Sequence, residues 1–325
     1  MSRYIVSRFL NAMLVVRAAF TVSFVLLYQL PSDPISIMLM GDSGGGGSAQ
    51  ANAAQLHALA VRYGFDLSPP RQYASLLWRA AHGDFGISMQ SGRPVMTEIS
   101  DALPPTLRLA SFSLGIALVL GVSTALLACR RRTGVVRTVL LSLPPVAMAV
   151  PTFWIALMLL QIFAFRLNWL PGISTAGFTA LILPALTLAV PTSAVIAQTL
   201  VRGLDDTLAA PFVRQLRANG IAARTIYLRH VLHNAAIPTL TVLGLIVGGM
   251  FAGAVVTETI FSRAGAGRLL QSAVDVQDLP VVQGLVVLMA LAYAGVNLVV
   301  DLLYPLLDPR IRRASPDAAT GAPQT

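Results

Sequence analysis

The sequence contains no lysine, and all 23 of its basic residues are arginine. A P-loop nucleotide site places a lysine on the β- and γ-phosphates, so this chain carries no such site. Schiff-base chemistry on a lysine is excluded as well. Cysteine occurs once, at Cys129, which excludes an intrachain disulfide framework and a cysteine zinc cluster. Charge is also scarce. Only 11% of residues are charged, against about 25% in a soluble domain. With 55% hydrophobic residues and a mean hydropathy of +0.72, this is the composition of an integral membrane protein. The net charge of +9 is divided among separate segments rather than gathered in one basic domain, so nucleic acid is not an expected partner.

Long apolar runs are plentiful. A bilayer core of about 30 Å needs roughly 20 mostly apolar helical residues. Six runs meet that need, near 9–30, 106–129, 135–165, 178–200, 237–261 and 281–307. They predict an all-α bundle of six transmembrane helices. The third run is longer than a span requires and holds Pro144, Pro145 and Pro151, so a kink or a re-entrant break is expected there. The first run follows Arg3 and Arg8 as a signal peptide would, but its apolar part is too long and no A-x-A site follows. It reads as a retained helix.

Arginine bias orients such a bundle. With the N-terminus inside, the cytoplasmic segments hold 14 arginines, at 3, 8, 130–132, 137, 202, 214, 217, 224, 229, 310, 312 and 313. The opposite side holds 8, at 62, 71, 79, 93, 108, 166, 263 and 268, together with most of the acids. Both termini are therefore expected in the cytoplasm. The segment 31–105 is too long for a simple turn. It contains a flexible G-D-S-G-G-G-G-S linker, helical spacing over 51–65, and a short helix with a closing turn in S-P-P-R-Q-Y-A-S-L-L-W-R-A-A-H-G-D-F-G. An extracytoplasmic subdomain is expected, so the chain divides into residues 1–104, a transmembrane helical bundle at 105–308, and a disordered tail at 309–325.

Between the fourth and fifth runs lies a cytoplasmic loop at about 202–236. Phe212, Val213, Leu216, Ile221, Ile226, Tyr227, Val231 and Leu232 recur at helical spacing with arginines between them. Gly220 divides the segment into two expected short helices, and Pro238 is expected at the start of the fifth span. Such a basic amphipathic element could lie on anionic lipid or dock another protein.

The stretch F-V-R-Q-L-R-A-N-G-I-A-A-R-T-I-Y-L-R-H-V-L-H-N-A-A-I-P resembles the signature loop of ABC importer permeases of the dipeptide/oligopeptide/nickel branch. Phe212, Val213, Arg214, Arg217, Ala218, Gly220, His230, Asn234 and Pro238 match that pattern, while Pro211, Leu216 and Asn219 depart from it. Further segments resemble the family in the same order: L-P-S-D-P at 30–34, R-Y-G-F-D, H-G-D-F-G-I-S-M-Q-S-G-R-P-V, V-T-E-T-I-F-S-R-A-G-A-G-R-L-L with Ala264 in place of proline, and V-N-L-V-V-D-L-L-Y-P-L-L-D-P-R-I-R. The resemblance covers nearly the whole chain. It implies the type I importer permease fold in a bacterial inner membrane. The implied partners are a second homologous permease, two ATPase subunits and an extracytoplasmic solute-binding protein, all working with membrane lipid. The loop would then be the coupling element that seats in an ATPase. The implied solute is a peptide or a related small molecule, with nickel chelates and glutathione-like thiols as alternatives.

Ionisable residues at membrane depth are functional candidates. Asn297 and Asp301 are four apart on one helix face and could bind a cation or the amine of a substrate, or hold neighbouring helices. Glu258, close to Arg263 and Arg268, could shape a gate or be a satisfied interfacial carboxylate. Arg17 lies within the first span and would face a partner or a polar cavity. His57, His82, His230 and His233 lack the company of a zinc site, so neither a metal nor another cofactor is expected. A membrane protease would need a nucleophile with its base, or H-E-x-x-H, and neither is present. An ion-coupled transporter, the rival from another class, would call for inverted repeats and midplane carboxylates. No internal repeat is visible.

Overall fold

The computed structural model describes residues 2–28, 61, 67–130, 134–173 and 177–307. The glycine-rich linker, the L-P-S-D-P and R-Y-G-F-D segments, nearly all of the stretch 51–65 and the tail 309–325 lie outside the described residues. Among the described residues, ten α-helices of eight residues or more carry the architecture: α1 Ser2–Tyr28, α2 Pro69–Ala81, α3 Val95–Arg130, α4 Val135–Ala149, α5 Thr152–Leu159, α6 Thr179–Ala209, α7 Pro211–Ala218, α8 Leu232–Ile260, α9 Ala266–Asp275 and α10 Leu279–Leu307. Among the described residues the only β pairing is a single bridge between Ile87 and Pro94.

Among the described residues, five apolar helices are long enough to cross a bilayer: Val6–Leu27, Val95–Arg130, Thr179–Ala209, Ala223–Ile260 and Leu279–Leu302. The third run of the sequence is broken, as its prolines predict. Helices α4 and α5 meet at 103°. The break sits at Pro151, whose ring pushes Val150 out of the helical region to φ −85°, ψ 124°. Pro144 and Pro145 stay inside α4. Beyond α5 a π-helical turn, Leu160–Arg166, completes the run.

Packing decides whether this bent pair crosses the membrane or turns back. Leu109 of α3 clusters with Ala185 and Leu188 of α6, Ala117 with Ala189 and Ile196, and Ala125 with Leu200 and Leu204. The two series rise together, so α3 and α6 run parallel. The chain between them must return from one end of the bundle to the other. At one end Arg137 Nη2 lies 2.9 Å from Asp205 Oδ2. At the other end the rings of Phe112 and Phe178 are 5.1 Å apart. From Leu109 to Cys129 the rise is about 30 Å. The α4–α5 pair covers that distance, so it is one broken crossing and the bundle has six.

The remaining contacts alternate as six crossings require. Asn297 and Tyr293 of α10 face Gly244 and Gly248 of α8, an antiparallel pair with small residues at its interface. Arg8 Nε of α1 lies 3.3 Å from Asp301 Oδ2 of α10. The start of α1 and the end of α10 therefore share one end of the bundle, with Cys129, Asp205 and Gly220. Tyr73, Val95, Glu258 and Asp278 mark the opposite end.

Helix α3 begins at Val95 rather than near Thr106. Its added turns are polar outside but bury Val95, Ile99 and Ala102 against Ala266, Ala273, Val281 and Leu285. The apolar stripe carries the helix through Pro104 and Pro105 and beyond the apolar run. The short helix expected after Ser68 is α2, with Pro69 at its first position.

Candidate functional site

At the Gly220 end, α7 lies across the ends of α3 and α6. Val213, Ile226 and Val231 are buried in one cluster with Ala125, Ala128, Leu200 and Leu204. The turn after α7 is a Schellman motif. Gly220 N–H donates to Arg217 O at 3.0 Å and Ile221 N–H to Leu216 O at 3.2 Å. Gly220 takes φ +73°, a left-handed position that glycine adopts at no steric cost. Ile221 and Leu216 both pack on the cluster. The exposed side of α7 presents Pro211, Phe212, Arg214, Gln215, Arg217 and Ala218.

The second short helix expected after Gly220 is not separate. Ala223–Thr225 runs through a π turn, Ile226–Val231, straight into α8. Pro238 consequently sits inside a helix, not at its start. The lost backbone bond is tolerated because this helix packs along α6 and α10 over most of its length, which holds it against a break. Asn234 lies one turn before Pro238, and its Nδ2 donates to His230 O at 2.7 Å. His230 is half-buried and Pro238 exposed.

At the opposite end, Glu258 is fully buried at the last turn of α8. Thr106 Oγ1 donates to its Oε1 at 2.6 Å. Gly267 N–H and Arg268 N–H donate to its Oε2 at 2.8 and 3.3 Å. Ala266 N–H donates to Thr106 Oγ1 at 2.8 Å. The first three backbone donors of α9 are thus satisfied by side chains from two other helices. The cap residue, Gly265, supplies none. A Cβ there would overlap the Glu258 carboxyl group, which is why glycine holds the position. Both carboxyl oxygens of Glu258 thus have hydrogen-bond donors from other elements. Arg263 Nη1 donates to Ala180 O at 3.1 Å and ties the same corner to α6.

Residues 117–313 match the family described as binding-protein-dependent transport system inner membrane component. The chain belongs to this family. Among similar curated proteins, the glutathione transport system permease protein GsiC of Escherichia coli (strain K12) is 31% identical over 312 residues, covering 96% of this chain and 99% of its own length. Its counterpart from Pectobacterium atrosepticum is 32% identical over the same span. A solved structure described as an amino acid ABC transporter with histidines aligns with 67% of the chain at 19% identity and a TM-score of 0.46. The protein is thus a permease subunit of an ABC importer, and ATP hydrolysis resides on a partner.

The permease's polar residues fall into distinct places. Asp301 pairs with Arg8, while Asn297 packs over Gly244, so these neighbours on one helix face serve two different helices. Arg17 lines a groove of about 670 Å³ between α1 and α10 with Phe20, Leu77 and Leu298. No cluster of three metal-ligating side chains occurs among the described residues. Sequence reasoning did not single out Thr106 or the Ser88–Asp278 bond of 2.5 Å that joins the α2–α3 turn to the start of α10. Nothing local marks Thr106, which meets Glu258 across 152 positions. Gly265 and Gly267 were the one available signal.

Proposed function

We propose that this permease imports small peptide-like solutes, glutathione-like thiol peptides foremost, and forms half of the pathway with a second homologous permease. Two ATPase subunits and an extracytoplasmic binding protein complete the assembly. The Gly220 end is cytoplasmic, by its excess of arginine, and both termini lie there. The surface formed by Phe212, Arg214, Gln215, Ala218 and Gly220 seats in a groove of the ATPase.

The observation that supports this reading is the way α7 is held. Its Schellman turn and the buried Val213 hold it against α3 and α6, and after the Gly220 turn the chain runs from Ala223 through the π turn into α8. A push on α7 is therefore carried through the buried Val213 into α3 and α6. Closure of the ATPases around ATP would bias the bundle between outward- and inward-open states. The solute class follows the named activity of relatives that align over nearly the whole chain.

Reconstitution of the chain with its partner permease, ATPases and binding protein in liposomes tests the proposal. ATP-dependent uptake of labelled glutathione or a dipeptide is expected. Uptake of a nickel chelate alone, or uptake without ATP, would refute it.

A further inference from the structure

Tyr73 fixes α2 against α1. Its Oη and Thr21 Oγ1 share a hydrogen bond of 2.8 Å. Its ring stands edge-on to Phe20 and Phe24, with centroids 5.5 and 5.3 Å apart. Leu77, Ala80 and Ala81 of the same helix line the groove of about 670 Å³ between α1 and α10. These contacts set the depth of α2. Thr21 lies inside the crossing Val6–Leu27, six residues short of its outer end, which is about 9 Å. Of the groove residues on α10, Val287 is nearest the outer end, and it lies eight residues, about 12 Å, inside Leu279–Leu302. Both flanking crossings therefore extend outward past α2.

The other side of α2 presents Arg71, Ala74, Ser75 and Trp78, which share one helix face and are all exposed. Trp78 is 70% exposed. The helix has 13 residues and rises about 20 Å, too little to cross a bilayer. A short amphipathic helix of this kind lies about 5–10 Å into the boundary between headgroups and acyl chains. The depth set by Thr21 falls in that range. Tryptophan favours the same level, where its ring meets acyl chains and its N–H meets headgroups. Arg71 stands two turns before Trp78 on the same face and offers its guanidinium to lipid phosphate. Arg79 is already held by Asp84 at 2.8 Å.

We propose that α2 is embedded in the outer leaflet, with Arg71, Ala74, Ser75 and Trp78 facing phospholipid rather than the water outside. Trp78 is its anchor. So placed, α2 ties the outer ends of α1 and α10 to the membrane surface. Tyr73 holds Thr21, and the turn that follows α2 holds Asp278 through Ser88. The placement rests on the crossings that flank α2, and it stands whichever solute the importer carries.

Nitroxide labels read this placement in the full chain, reconstituted in vesicles of phosphatidylethanolamine and phosphatidylglycerol. Cys129→Ser removes the single cysteine, and Ala74→Cys, Ser75→Cys and Gln90→Cys each receive a label in turn. Gln90 is exposed in the turn that bonds Asp278 and serves as the aqueous reference. Relative to it, the Ala74→Cys and Ser75→Cys labels should gain collisions with oxygen, which concentrates in lipid. They should lose collisions with chromium oxalate, which stays in water. Adding Trp78→Gln should shift the Ser75→Cys label towards the reference. Chromium oxalate collisions equal to the reference would put α2 in water, as a surface for a soluble partner, and overturn the proposal. Loss of both kinds of collision when the second permease is added would make this face a protein interface and overturn it too. A Ser75→Cys label that Trp78→Gln leaves unchanged would remove Trp78 as the anchor.

Discussion

Thr106 and Glu258 stand 152 positions apart in the chain and are joined by a hydrogen bond of 2.6 Å at the end of the bundle opposite Gly220. Together they cap α9, because Gly265 has no side chain with which to do so. Glu258→Gln removes one acceptor oxygen, leaving three donors, the Thr106 hydroxyl and the Gly267 and Arg268 N–H groups, with a single carbonyl oxygen. The loss should be about 2 kcal/mol, the usual range for a buried bond to a charged group. Gly265→Ala should destabilise comparably, since its methyl group would displace the carboxyl. Thermal unfolding of the purified chain measures both. Wild-type midpoints would show that the cap contributes nothing.

Gly220→Val leaves the bundle intact and strains only the turn. No atom lies within 4 Å of a Cβ at this position, so the cost comes from the backbone at φ +73°. For a β-branched residue it is about 1–2 kcal/mol. The chain should still insert and still pair with the second permease, while ATPase recovered by co-purification falls. Equal recovery and equal uptake would remove this turn from the docking surface.

Gly121 lets α3 and α6 run side by side. A Cβ there would stand 2.8 Å from Ser193 O and 2.9 Å from Ile196 Cβ. Gly121→Val should cost about 1–3 kcal/mol, as overpacking does, and lower the yield of monodisperse protein. Gly115→Val in the same helix meets nothing within 4 Å and serves as the control.

Gln277 takes φ +57° at the end of α9, where its N–H donates to Val274 O at 3.2 Å. A left-handed residue other than glycine costs about 1–2 kcal/mol. Gln277→Gly should therefore raise the unfolding midpoint. A lower midpoint would mean that the glutamine side chain contributes more than its backbone costs.

Reporter fusions test the six crossings and their direction together. Fusions after 45 and 166 should read external, and those after 132, 219 and 313 cytoplasmic. A fusion after 166 on the same side as one after 132 would make the α4–α5 pair a re-entrant loop.

Much of this permease was legible in its residues. Apolar runs report burial in lipid directly, and Pro151 marks the break because the residue before a proline is driven out of the helical region. Gly220 announced its turn, since few residues other than glycine accept a left-handed backbone there. Pro238 misled because proline favours helix starts in isolation, while here packing carries the helix through it.

Local pattern thus determined the composition class, the spans and the place of the loop. The tertiary structure alone decided what those elements meet. Proline content could not say whether the bent third run crosses or turns back. The parallel packing of α3 on α6 decides that, because a chain that leaves one end must return before it can run parallel again. Nor could spacing say what Glu258 holds. Its partners Thr106 and Gly267 lie on different helices, and which helix ends meet is a property of packing between distant segments rather than of neighbours in the chain.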